Sequence, residues 1–184
     1  MPHEEAAPYA GRMAATLVII RHAKSDWGVT VADRNRPLGK RGRRQAPATG
    51  RWIAEHVEPL DLAVVSVAAR TQQTWELVSE ELDGKVQTRL SEEAYTFNAR
   101  ELLELVIDLP ASATRVALVS HNPAVEELIE RLTGEWVPMT TSAVAVVELS
   151  DWVSAGLGQG RLVVAGRPAD DTWHVRRTQG SNGE

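Results

Sequence analysis

The sequence predicts an α/β protein: a three-layer α/β/α sandwich built on a mostly parallel central sheet. Three observations carry this. Short apolar runs at residues 16–20, 62–66 and 115–120 have the length and near-continuous apolarity of strands buried on both faces. Longer stretches with helical spacing alternate with them, and a βαβα order lays helices against both faces of a parallel sheet. The 184 residues, 43% hydrophobic and 24% charged, suffice for one substantial core and would crowd two.

Residues 1–13 hold Pro2, His3, Glu4, Glu5 and Pro8, without the basic start and apolar middle of a signal peptide. They read as an N-terminal extension outside the domain, with Met13 as an alternative start. The domain itself spans 14–177. Its first strand, TLVII at 16–20, stops at the charged pair Arg21-His22. Residues 38–57 read as a helix kinked at Pro47, followed by a strand at 62–66 and a helix at 71–82. A strand at 85–89 comes next, then a helix at 98–108 that ends ahead of Pro110. The strand at 115–120 leads to a helix opened by Pro123, a residue suited to a first helical turn, and closed by Gly134. Strands at 143–149 and 161–165 complete the sheet as an edge pair, and residues 178–184 form a polar, glycine-containing tail.

The formal net charge of −5 gives no electrostatic reason to expect nucleic acid or an anionic membrane surface. The six tryptophans, at 27, 52, 75, 136, 152 and 173, are too dispersed to form a stacking platform for single strands. No apolar run is long enough to span a bilayer. The absence of cysteine removes disulfides, a thiol nucleophile and cysteine-rich zinc sites, which suits the cytoplasm. His3, His56 and His174 stand at no ligand spacing, so no metal site is expected.

Reactive side chains follow the strands. Arg21 and His22 follow the first, Arg70 the second, Glu92 the strand at 85–89, and His121 the strand at 115–120. Singly, each has a plain reading: a structural histidine, a solvated arginine, a loop carboxylate. Together they converge on the carboxyl ends of the strands, where open α/β sheets bind ligands. An imidazole can attack phosphorus while guanidiniums hold the phosphoryl oxygens, so this pairing points to phosphate chemistry. Lys24, Arg34 and Arg36 form a polar rim able to contact substrate, and Trp27 is the tryptophan placed to line the pocket. Ser25 reads either as a hydroxyl contact to phosphate or as a turn residue. Asp33 reads as a solvated loop residue. Asn122 and Pro123 serve the turn that aims His121.

The segments RHAKSDW at 21–27, Asp33 with RPLGKRG at 36–42, SVAARTQQT at 66–74 and VSHNP at 119–123 together resemble the histidine phosphatase superfamily, and within it the SixA-type phosphohistidine phosphatases. The resemblance implies a phosphoglycerate mutase-like fold and a metal-independent hydrolase with no cofactor. By it, His22 is the nucleophile that becomes a phosphohistidine intermediate, and Arg21 and Arg70 clamp the phosphate. His121 is then the second histidine, cationic when phosphate is bound. LSEEAY at 90–95 resembles the segment that carries a general acid elsewhere in the superfamily, which makes Glu92, or Glu93 in the alternative register, the candidate acid. SixA-type members commonly dispense with this acid, since a protonated imidazole already leaves readily.

Three positions depart from the broader pattern: Gly28 stands where mutase-like members carry asparagine, Val67 replaces proline, and Ala23 replaces glycine. Ala23 and Gly28 fit the SixA-type branch. The implied substrate is protein phosphohistidine, with a small metabolite phosphate ester as the alternative. A non-catalytic phosphate-binding module is disfavoured because all four core side chains are present. Between Glu92 and Arg115 there is room for one helix and no large lid, which suits a protein partner; a monomer is expected.

Overall fold

Seven strands form one sheet in the order β3-β2-β4-β1-β5-β6-β7. In the computed structural model, which describes residues 15–177, these are β1 (Ala15–Arg21), β2 (Leu62–Ser66), β3 (Gln87–Ser91), β4 (Arg115–Ser120), β5 (Val144–Leu149), β6 (Arg161–Arg167) and β7 (Thr172–Arg176). Four helices complete the fold: α1 (Lys40–His56), α2 (Ala69–Ser79), α3 (Ala99–Ile107) and α4 (Ala124–Thr133). The extension expected at 1–13 and the tail at 178–184 lie outside the described residues.

The sheet has two halves joined at β1. On one side β1, β4, β2 and β3 pair in parallel; on the other, β5, β6 and β7 are added antiparallel in turn. β6 therefore runs with the four parallel strands, and only β5 and β7 oppose them. Alternation along β1 divides the core. Leu17 and Ile19 face a cluster filled from α3 and α4, including Leu102, Val106, Leu128 and Ile129. Val18 and Ile20 face a second cluster, with Ala46 and Ile53 of α1 and Trp75 and Val78 of α2. Two helices on each face give the three layers, and burial on both faces explains why the central strands read as apolar runs without alternation. Among the described residues no helix is long and apolar enough to cross a membrane.

Local differences from expectation have identifiable causes. α1 starts at Lys40, not 38, because Pro37 and Leu38 belong to a strap: Asp26 N–H donates to Pro37 O at 2.8 Å and Leu38 bridges to Ser25. The helix runs through Pro47 as one element; the carbonyl that proline deprives of its N–H partner belongs to Arg43, an exposed residue. α2 begins at Ala69, which brings Arg70 into its first turn. β3 lies two residues later than expected, and four of its five residues are exposed on an edge, so no apolar run marks it. Pro123 precedes α4 as its N-cap, and Gly134 closes the helix at φ 76°. β7 was not anticipated; its residues alternate between exposed and half-buried at the other edge.

Candidate active site

The carboxyl ends of β1, β2 and β4, neighbours in the sheet, bring Arg21, His22, Arg70 and His121 together. Backbone hydrogen bonds set the loop after β1. His22 N–H donates to Ser120 O of β4 at 3.2 Å, and Ser142 N–H donates to His22 O at 3.1 Å. Ala23 N–H then donates to Thr74 Oγ1 of α2 at 2.9 Å, and Lys24 N–H to Gln45 Oε1 of α1 at 3.1 Å. The first turn of α1 presses on the same loop: a Cβ at Gly42 would lie 2.2 Å from Lys24 O, so glycine is required for this approach.

His22 is 8% exposed, and its Nδ1 lies 2.7 Å from Ala23 O. A carbonyl only accepts, so Nδ1 carries the proton and the Nε2 lone pair is left for chemistry. Burial lowers the pKa of His22 to about 3; the Ala23 carbonyl opposes this, and the positive charges of Arg70, Arg21 and Arg36 reinforce it. The ring is therefore neutral at physiological pH, as a nucleophile requires.

The His121 ring centroid lies 5.3 Å from that of His22. Arg70 Nη2 donates to His121 Nδ1 at 3.2 Å, which assigns the proton to Nε2 and makes it the donor to Ser66 Oγ at 2.7 Å. Burial, with His22 and Arg70 nearby, lowers the pKa of His121 to about 3 as well. In this structure the second histidine is thus neutral, and the cationic form expected with bound phosphate requires Arg70 to release Nδ1. Tyr95 and Phe97 flank the ring at centroid distances of 5.5 and 5.6 Å.

Arg21 is held from the opposite side. Its Nη1 donates to Met139 O at 2.9 Å, the same carbonyl that accepts Asn122 Nδ2 at 2.9 Å. Glu126 Oε1 accepts from Asn122 Nδ2 and from Met139 N–H, tying α4 to this loop. The turn after β4 is therefore anchored by Asn122, in keeping with the role assigned to it. The Nε atoms of Arg21 and Arg70 are buried without a hydrogen-bond partner among the described residues. Two orphaned guanidinium donors beside a neutral imidazole suit an oxyanion ligand that satisfies them.

Asp33 corrects the sequence reading. Although its side chain is 45% exposed, it is not a solvated loop residue but the hub of the site's mouth. Oδ1 accepts Arg36 Nη2 at 2.7 Å, and Oδ2 accepts Arg70 Nη2 at 3.0 Å and Tyr95 Oη at 2.7 Å. Its backbone carbonyl takes Arg70 Nη1 at 2.8 Å. The hydrogen bond from Arg36 foremost, with those from Tyr95 and Arg70, holds the Asp33 carboxyl well below the usual carboxylate range, although burial opposes them. Arg36, only 7% exposed, also donates to Ser25 Oγ and stacks 3.6 Å from the centre of the Trp27 ring. Ser25 and Arg36 are thereby parts of one network, and Trp27, 72% exposed, covers it from outside. The Lys24 side chain is exposed at the rim.

Glu92 is not brought to the two histidines by any contact among the described residues. Its carboxylate receives both Nη atoms of Arg34, at 2.6 and 3.0 Å, in an ion pair whose side chains are 48% and 64% exposed. Glu93 accepts from Ser91 Oγ at 2.7 Å. Ser66, Tyr95 and Phe97 were not singled out from sequence. Ser66 left one trace, a hydroxyl ending an otherwise apolar buried strand.

The model of the histidine phosphatase superfamily (branch 1) matches residues 17–96. Uncharacterized protein Rv1276c of Mycobacterium tuberculosis is 30% identical over 151 residues, covering 82% of this chain and 90% of that relative. The phosphohistidine phosphatase SixA homolog of Haemophilus influenzae is 24% identical over 144 residues, covering 72% of this chain and 86% of that protein. The solved protein histidine phosphatase SixA complexed with tungstate superposes with a TM-score of 0.73 at 26% identity, over 84% of this chain and 98% of that one. The chain therefore belongs to the histidine phosphatase superfamily as a phosphatase-type hydrolase, and resembles its SixA-type members.

Proposed function

We propose that the protein removes the phosphoryl group from phosphohistidine in a protein substrate, with His22 as the nucleophile. The observation that carries this reading is that no carboxylic acid is available at the site, among the described residues, to protonate a leaving group. Asp33 is held ionised by Arg36, Tyr95 and Arg70, and Glu92 is committed to Arg34. An alkoxide leaving from an ester needs such a proton; an imidazole does not.

The bonds balance without an acid. His22 Nε2 attacks phosphorus, the P–N bond of a substrate imidazole protonated on its other nitrogen breaks, and the bond pair neutralises that imidazole as it leaves. His22 is now a phosphoimidazolium with Nδ1–H still bound to Ala23 O. Water attacks phosphorus, the pair returns to Nε2, and dihydrogen phosphate departs and loses a proton to solvent. Arg21 and Arg70, through their unpartnered Nε donors, hold the oxygens in line. A phosphoryl group competing for Arg70 Nη2 frees His121 Nδ1 to take up a proton and add positive charge. The names borne by the Haemophilus relative and the tungstate-bound SixA structure support the same substrate class.

The test compares the protein with His22→Ala, in chelator, on a phosphohistidine-bearing protein domain and on a panel of alkyl and aryl phosphates. His22-dependent preference for the phosphohistidine domain is expected. Faster turnover of an alkyl ester would move the assignment to a metabolite phosphatase, and turnover of neither would leave a phosphate-binding module.

A further inference from the structure

We propose that the exposed face of the first turns of α1 is a docking surface for an acidic protein domain, the carrier of the phosphohistidine; this rests on the function proposed above. Lys40, Arg41, Arg43 and Arg44 are all exposed, while Gly42, Gln45, Ala46 and Thr49 are buried. At 3.6 residues per turn these offsets place the four cations on one side of the helix and the buried residues on the other. Lys24 joins them, because Gly39 N–H donates to Lys24 O at 3.0 Å and Gly42 packs on the Lys24 backbone. Among the described residues none of the five forms an ion pair.

Two features argue that this cluster serves a partner and not the fold. Cations at a helix N-terminus oppose the helix dipole, and this helix has no acidic residue in its first turn to offset them. The arrangement therefore works against α1, in a chain whose net charge is −5 and which has acids to spare. The cluster also sits beside the reacting group: Lys24 is two residues from His22, and the turn bearing the cations packs on the loop that positions it. A partner carrying its phosphohistidine into the site must lay its surrounding surface over this turn. A positive rim of this kind acts on encounter rate and orientation more than on the chemical step. The net charge of −5 offers a long polyanion such as nucleic acid no attraction beyond this turn, whereas the protein that carries the phosphohistidine meets the turn with a local patch, and acidic residues there are the complement that fits.

The experiment uses K40E/R41E/R44E in the full chain, with two substrates: free phosphohistidine, and a phosphohistidine domain whose surface around the histidine is acidic. For the domain, kcat/KM is expected to fall about tenfold at low ionic strength and to converge with the wild type at high salt. For free phosphohistidine it is expected to stay unchanged, which also shows that the variant folds. Equal losses on both substrates would overturn the proposal, since the cations would then attract any small anion; no loss on either would overturn it too. If the wild type turns over neither substrate, the phosphatase reading fails, and docking is read from binding of the unphosphorylated domain, which the variant must weaken about tenfold. Duplex RNA displacing that domain at matched ionic strength would reassign the surface to nucleic acid.

Discussion

The two halves of the sheet do different work. In the parallel half the ends of β1, β2 and β4 deliver the side chains of the site: Arg21, His22, Ser66, Arg70 and His121. The antiparallel half delivers backbone. The segment entering β5 contributes Met139 O to Arg21, Ser142 N–H to His22 O and Ala143 O to Arg21 N–H, and, among the described residues, no side-chain hydrogen bond to either histidine ring. Three parallel ends side by side form a crevice in which groups from distant sequence positions converge, whereas antiparallel neighbours send successive ends to opposite edges. The antiparallel half is thus the frame, and substitutions in the two halves should separate activity from stability.

The largest effect is expected from Arg70→Ala. It removes an orphaned donor, the partner of His121 Nδ1 and both contacts to Asp33, and kcat should fall about a thousandfold with little change in fold by circular dichroism. Asp33→Asn keeps the size of the side chain but removes the charge that aligns Arg70 and Arg36. A loss of up to about a hundredfold, mainly in kcat, is expected from misplaced guanidiniums; an effect confined to KM would show that Asp33 contacts substrate instead of positioning Arg70.

In the other half, Trp173→Ala removes the β7 ring that packs 5.1 Å from Trp52. Urea unfolding should show a loss of about 2 kcal/mol, while turnover by the folded protein is unchanged. A parallel loss of activity would break the division of labour. The last effect is a slope. His121 titrates near 3 when folded and near its ordinary 6.5 when unfolded, so between these values the unfolded chain binds the extra proton. The stability contributed by the neutral ring is complete above 6.5 and is lost as the pH falls toward 3. His121→Gln should therefore flatten the dependence of unfolding free energy on pH by about 1.4 kcal/mol per pH unit in that window.

The same contrast decides what could be read from sequence. β1, β2 and β4 are buried on both faces, and continuous apolar runs announce them; the polar residues where those runs stop form the candidate site. β3 and β7 are edges whose composition is set by solvent, so one was displaced and the other missed. Arg70 and His121 were legible because position after a strand suffices to place them. Asp33 was not, because its meaning lies in Arg70 and Tyr95, 37 and 62 positions away, and no local pattern encodes such partners. Glu92 shows the converse: a carboxylate in the expected segment is occupied by Arg34, a contact 58 positions apart.

The packing of Gly42 against Lys24 has a consequence for how such a protein can diverge. Within five consecutive residues, one admits nothing larger than hydrogen, while the four around it are exposed and form no ion pair among the described residues. Descendants can rewrite those four codons, trading one partner for another, and the reaction centre next door is inherited intact because its glycine cannot drift. Recognition can change rapidly while the chemistry stays still.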